Sequence, residues 1–101
     1  MEISADDAWK QIDAGALVVD VRSLEEFSSG HLEGALNIPH TQIKSRLAEF
    51  GADKSRHIIL YCKSGGRSGL AAAQMRQAGF IKAVNAGGYE DLERHRRTAK
   101  A

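Results

Sequence analysis

The clearest feature of the hydrophobic pattern is an unbroken apolar run, Ile58-Ile59-Leu60-Tyr61, with no polar position to mark an exposed face. β-Branched and aromatic residues in a stretch of this length read as a strand buried on both sides, as in a parallel sheet. A second run, Leu17-Val18-Val19-Asp20-Val21, has the same character but carries a carboxylate near its end and is followed by Arg22. Shorter strands are predicted at 35–38, stopped by Pro39, and at 81–85, and Glu2-Ile3 fits a very short edge strand. Helical spacing fills the intervals. Ala8, Trp9 and Ile12 share one face of a helix predicted over 5–14, with Ser4 as N-cap and Gly15 as stop. Ser23 caps a short helix through Phe27, with Glu25 and Glu26 in its first turn where negative charge suits the helix dipole. Thr41 caps another, reaching about Phe50, whose Ile43, Leu47 and Phe50 face inward. Residues 68–78 are alanine-rich and helical, ending at Gly79. Ala86-Gly87-Gly88 reads as a turn into a last helix that opens with Tyr89-Glu90-Asp91-Leu92. About five short strands alternating with helices predict an α/β fold, a parallel sheet with helices on both faces.

Composition narrows the partners. The 101 residues suit one domain spanning 1–101, and 43% apolar with 27% charged residues is ordinary for a soluble globular chain. A formal net charge of +1 supplies no general field for nucleic acid. The basic ending Arg94-His95-Arg96-Arg97 with Lys100 has no interleaved aromatic residues and reads as a solvated helix end rather than a nucleic-acid tail. With one cysteine no internal disulfide forms, and a free thiol needs an explanation. No apolar run reaches membrane-spanning length, and the acidic start is not a signal peptide. The cytoplasm is the expected address, with the periplasm as the alternative for a chain from which an export signal has been removed.

That thiol, Cys62, follows the central strand directly and opens the loop Cys62-Lys63-Ser64-Gly65-Gly66-Arg67-Ser68. A strand that ends, turns through two glycines and enters a helix gathers backbone N–H groups around one point, with the positive helix end behind them. Such a point accepts anions. Cys62 is expected at its rim, its thiolate stabilised by the amides of residues 63–68, by Lys63 and by Arg67, and so nucleophilic near neutral pH. Asp20 and Arg22, at the end of the neighbouring strand, are either supports of this site or an ion pair fixing a loop. His31 lies in a turn, where a backbone hydrogen bond is the expected role. His31, His40, His57 and His95 have no ligand spacing around the cysteine, so neither a metal nor an organic cofactor is expected.

Taken together, three stretches resemble a known family. They are Val18-Val19-Asp20-Val21-Arg22 continuing through Glu26-Phe27 to Gly30-His31-Leu32-Glu33-Gly34-Ala35-Leu36-Asn37-Ile38-Pro39, the Tyr61-Cys62 loop ending in Arg67-Ser68, and the Asn85-Ala86-Gly87-Gly88 ending. The chain resembles the single-domain rhodaneses, thiosulfate sulfurtransferases, over almost its whole length, and its compact size is similar to their small phage-shock type, often exported to the periplasm. It departs from them at Leu92, where members commonly carry tryptophan. The resemblance implies that a six-residue loop, here Cys62 through Arg67, serves sulfur transfer, whereas a loop one residue longer serves phosphatases or arsenate reductases. Physically, a tetrahedral phosphate needs a cradle for three oxygens, and a persulfide needs room for one sulfur. Tyr61 also stands where a phosphatase usually has histidine. The implied partners are a small sulfur donor and a thiophilic acceptor, with a protein acceptor as the other possibility. The implied state is a monomer, and a sulfur-relay module for a protein partner is the alternative function.

Overall fold

Ser4 accepts the Asp7 N–H at 3.1 Å and opens the first helix, α1 (Ala5–Asp13), in the manner its hydroxyl favours. The computed structural model describes residues 2–99. After α1 it runs through β1 (Leu17–Asp20), α2 (Leu24–Ser28), β2 (Leu36–Asn37), two 3-10 segments (His40–Gln42 and Lys44–Phe50), β3 (Ile58–Cys62), α3 (Gly66–Gln77), β4 (Ala83–Gly88) and α4 (Tyr89–Ala99). The strands are all parallel, in the order β2-β1-β3-β4, with Val18 opposite Ile59 and Asp20 opposite Tyr61.

The unbroken apolar run is explained by its place at the centre of this sheet. Side chains alternate across a strand, so Ile58, Leu60 and Cys62 enter one core with Phe50, Phe80 and the Ala71, Ala72 and Met75 face of α3. Ile59 and Tyr61 enter the other, with Ala8 of α1 and Leu92 of α4. Every residue of β3 is buried. Each buried Ile or Leu there contributes on the order of 1.5–3 kcal/mol, and no polar position is tolerated on either side. The same alternation decides which helix the cysteine meets: Cys62 faces the α3 side.

Several expected elements differ. The Glu2-Ile3 edge strand is reduced to one bridge, Glu2 with Asn85, because the Ser4 cap starts α1 before pairing can extend, and the sheet has four strands rather than about five. The helix expected at 41–50 is broken into 3-10 pieces. Arg46 leaves helical geometry at φ −120°, with its guanidinium held by Gln42 and Glu49, while the Ser45 hydroxyl donates to the Gln42 carbonyl that a regular helix would use. The Gly87-Gly88 turn is instead the end of β4. Leu60 pairs with Asn85 and Cys62 with Gly88, so two steps on β3 face three on β4, a bulge in which Gly87 takes φ +88°.

At the chain's end, Leu92 is wholly buried and its carbonyl accepts the Trp9 indole N–H at 2.9 Å. The basic residues have carboxylate partners: Arg94 with Asp91, Arg96 with Asp13, Arg97 with Glu93, and His95 beside Asp6. Lys100 lies outside the described residues. Among the described residues no helix is long and apolar enough to cross a membrane.

Candidate active site

β3 ends at Cys62 and α3 begins at Gly66, so the chain reverses through Lys63, Ser64 and Gly65 alone. A turn this tight needs a left-handed residue, and Gly65 supplies it at φ +98°. The reversal aims the Gly65 N–H at the cysteine, donating to Sγ at 3.0 Å. Ser68, in the first turn of α3, brings its hydroxyl to 3.4 Å from the same sulfur. Behind the loop, Gly88 of β4 lies so close that a Cβ there would stand 2.4 Å from the Lys63 carbonyl oxygen.

Burial pushes the Cys62 thiol up, but the Ser68 hydroxyl and the amides of Ser68, Ser64 and Gly65 outweigh it, and the group is held below its ordinary value. The leading donors are neutral, and Arg67 adds a charge and hydrogen-bond interaction with the sulfur. Lys63 is exposed, and Arg67 spends two nitrogens on Glu26 of α2, at 2.7 and 3.0 Å, although its guanidinium remains within electrostatic reach of the sulfur. The expected position of Cys62 at the rim is corrected. Its residue is 1% exposed, because the β4 bulge and the α3 entry close around it and set the sulfur on the floor of the loop.

Arg22 and Asp20 form the ion pair that was one of their two expected roles. Asp20 is fully buried and accepts from Arg22 Nε and Nη2, the shortest contact being 2.7 Å. Arg22 also donates to the Gly30 carbonyl and lies 4.7 Å from the centre of the Tyr89 ring, so the pair fixes the turn after α2. Arg22 nevertheless reaches the site's edge, since it lines a hollow of about 220 Å³ with Glu26, Ser29, Lys63, Tyr89 and Glu90. His31 takes a structural position, its Nδ1 2.8 Å from the Phe27 carbonyl and its ring stacked on Phe27 at 3.7 Å. A larger hollow of about 400 Å³, lined by Lys10, Gln11, Ser55, Arg56 and His57 among others, lies toward the opposite end of the strands, away from Cys62.

Two residues of the site escape sequence reasoning. Glu26 is legible as the third residue of a capping box with Ser23, and that box is present, but nothing local shows that the same carboxylate reaches Arg67, 41 positions on. Asn85 is the other. It is 8% exposed, accepts from Ser68 Oγ at 2.7 Å and from Gly87 N at 3.0 Å, and donates from Nδ2 to the Gly65 carbonyl at 3.0 Å. A polar residue inside an apolar strand is its signal, since a buried amide requires partners.

Residues 4–95 match the rhodanese-like domain family. The chain belongs to that family. This rhodanese is 36% identical over 74 residues to the thiosulfate sulfurtransferase PspE of Escherichia coli, covering 73% of this chain and 71% of PspE. It is 43% identical over 70 residues to the uncharacterized protein YqhL of Bacillus subtilis, covering 69% of this chain and 54% of YqhL, so it spans about half of that relative. Among solved structures it superposes on the human single-domain sulfurtransferase TSTD1 with a TM-score of 0.80 at 30% identity, covering 92% of this chain and 95% of that one. The family, PspE and TSTD1 support sulfurtransferase activity in general for this rhodanese. Among the described residues no three His, Cys, Asp or Glu side chains gather as a metal-ligand set.

Proposed function

We propose that the chain transfers the outer sulfur of thiosulfate to a thiophilic acceptor through a persulfide on Cys62. The observation that carries this reading is the Gly65 N–H donating to Cys62 Sγ at 3.0 Å inside a loop only six residues long. In the first step the Cys62 thiolate attacks the outer sulfur of thiosulfate, an S–S bond forms, and the original S–S bond breaks with its electron pair leaving on sulfite. The loop donors then face the terminal persulfide anion as an oxyanion hole faces developing charge. In the second step an acceptor, cyanide in an assay or a thiol, attacks the terminal sulfur, and Cys62 leaves as thiolate. The loop residues Lys63, Ser64, Gly65, Gly66, Arg67 and Ser68 form the proposed binding cradle, with Asp20 and Arg22 as its supports.

The donor's approach is constrained by the burial of Cys62. The adjoining hollow between Lys63, Tyr89 and Glu90 offers a route, and the thiol's 1% exposure means that the loop must yield slightly for contact. Exchange of Cys62 for Ser tests the reading. Sulfur transfer from thiosulfate to cyanide should vanish while the far-ultraviolet dichroism stays that of the parent; a Ser variant with parental turnover contradicts it. Hydrolysis of an aryl phosphate by the parent, without sulfur transfer, would move the assignment to phosphatase chemistry.

A further inference from the structure

Among the groups that face Cys62 Sγ, beside the Ser64 and Ser68 amides and the Arg67 guanidinium, are the Gly65 N–H at 3.0 Å and the Ser68 hydroxyl at 3.4 Å. Both are held by one side chain. Asn85 Nδ2 donates to the Gly65 carbonyl at 3.0 Å and Oδ1 accepts from Ser68 Oγ at 2.7 Å, across 20 and 17 positions of sequence. We propose that Asn85 is a positioning residue for the Cys62 thiolate, its single amide anchoring two of the donors that face the sulfur. The inference rests on the reading of Cys62 as the nucleophile.

Proton supply at Ser68 decides which acceptor it serves. Ser68 has one hydroxyl hydrogen and two neighbours able to accept it, Asn85 Oδ1 and Cys62 Sγ. While the cysteine is a neutral thiol, the 2.7 Å contact assigns that hydrogen to Asn85, and the Ser68 oxygen is free to accept from S–H. When the thiol loses its proton, the Ser68 hydrogen turns to the anionic sulfur, because a hydrogen bond to a charged acceptor is stronger than one to a neutral amide. Asn85 Oδ1 is not left empty by this turn, since it keeps the Gly87 N–H at 3.0 Å. Without Asn85, a serine in the first turn of a helix donates to a backbone carbonyl nearby and rotates away from sulfur. The Gly65–Gly66 peptide, next to the one whose N–H faces the sulfur, likewise loses the bond to its carbonyl that holds Gly65 in place.

The charged groups around the sulfur stay unchanged in this scheme. They are Arg67 on α3 with its partner Glu26 on α2, Lys63 next in the chain, and Glu2, whose carboxylate approaches Gly65, while the Asp20–Arg22 pair at the end of β1 sits with Tyr61 on the other face of the sheet.

Because the chain has one cysteine, alkylation by iodoacetamide followed by intact mass reports Cys62 alone, and it does so without requiring sulfur transfer. The pH profile of that rate is the test. Asn85→Ala should move the midpoint up by about one pH unit, giving roughly tenfold slower alkylation at pH values below both midpoints. Asn85→Asp, which keeps the side chain's shape, should move it further, since a carboxylate oxygen then faces the Gly65 carbonyl. The shift caused by Asn85→Ala should shrink in a Ser68→Ala background, where one of the two arms is already gone. In the unmodified protein the Asn85 side-chain amide resonances should titrate with Cys62, which keeps the test available if a variant does not fold. A parental or lowered midpoint in a folded Asn85 variant, or Asn85 resonances that stay fixed as Cys62 titrates, overturns the proposal. A raised midpoint with no sulfur transfer by the parent would keep the role of Asn85 and reject the proposed reaction.

Discussion

Glu26 holds Arg67 in a two-pronged ion pair, with contacts of 2.7 and 3.0 Å, and so ties the first turn of α2 to the start of the helix behind the cysteine loop. The same carboxylate closes the capping box on Ser23, which makes it the junction between helix start and loop. Arg67 beside it is the first cause of its low pKa, which is held down to about 2 against an ordinary 4.5. A lowered folded-state pKa contributes stability that is complete above the unfolded value and lost as pH falls toward the folded one. Glu26→Gln should therefore melt below the parent at pH 7, and the gap should narrow between about pH 4.5 and pH 2. Melting temperatures across that window check it; a gap independent of pH contradicts the pairing.

The close approach of β4 to the loop predicts a second effect. A methyl at position 88 would stand 2.4 Å from the Lys63 carbonyl oxygen, and both are backbone-anchored, so one must move. Gly88→Ala should cost on the order of 1–3 kcal/mol in a denaturant titration and reduce sulfur transfer by displacing the loop. Gly34→Ala is a useful contrast, because the space beside Gly34 is open and only its φ of +81° opposes the change. That variant should lose stability with transfer intact.

Much of this site is legible in the order of residues alone, and the reason is locality. The buried run of β3, the glycines after Cys62 and the helix that follows are consecutive, so composition and spacing reveal them together. Long-range facts are hidden. The Glu26–Arg67 pair and the Asn85 contacts join segments far apart in sequence, and no spacing rule connects them. The depth of Cys62 depends on a bulge in β4, which two glycines disguise as a turn. The 3-10 break near Arg46 follows from side-chain competition for backbone groups, a balance of small terms that a helical pattern at Ile43, Leu47 and Phe50 does not show. The place of Asp20 and Arg22 at a strand end follows from the apolar run before them, but the choice between loop brace and site support needs the Gly30 contact.

Tyr61 offers a third prediction, one that separates fold from chemistry. Its hydroxyl accepts the buried Leu32 N–H at 3.0 Å, and burial pushes its own ionisation well above the usual tyrosine range. Tyr61→Phe leaves that N–H without its partner, at a cost of about 1–3 kcal/mol. Its side chain lies on the sheet face opposite Cys62, so sulfur transfer per folded molecule should persist. Equal stability of the two proteins would show that Leu32 has found another acceptor.

The central claim is that Cys62 carries a second sulfur, and the mass of the intact protein tests it most directly. After incubation with thiosulfate under non-reducing conditions, the parent should gain the mass of one sulfur atom, and cyanide should remove it. A Cys62→Ser protein treated alike should gain nothing. A parent whose mass stays unchanged with thiosulfate, or a gain that persists in the Ser variant, would contradict the persulfide on Cys62.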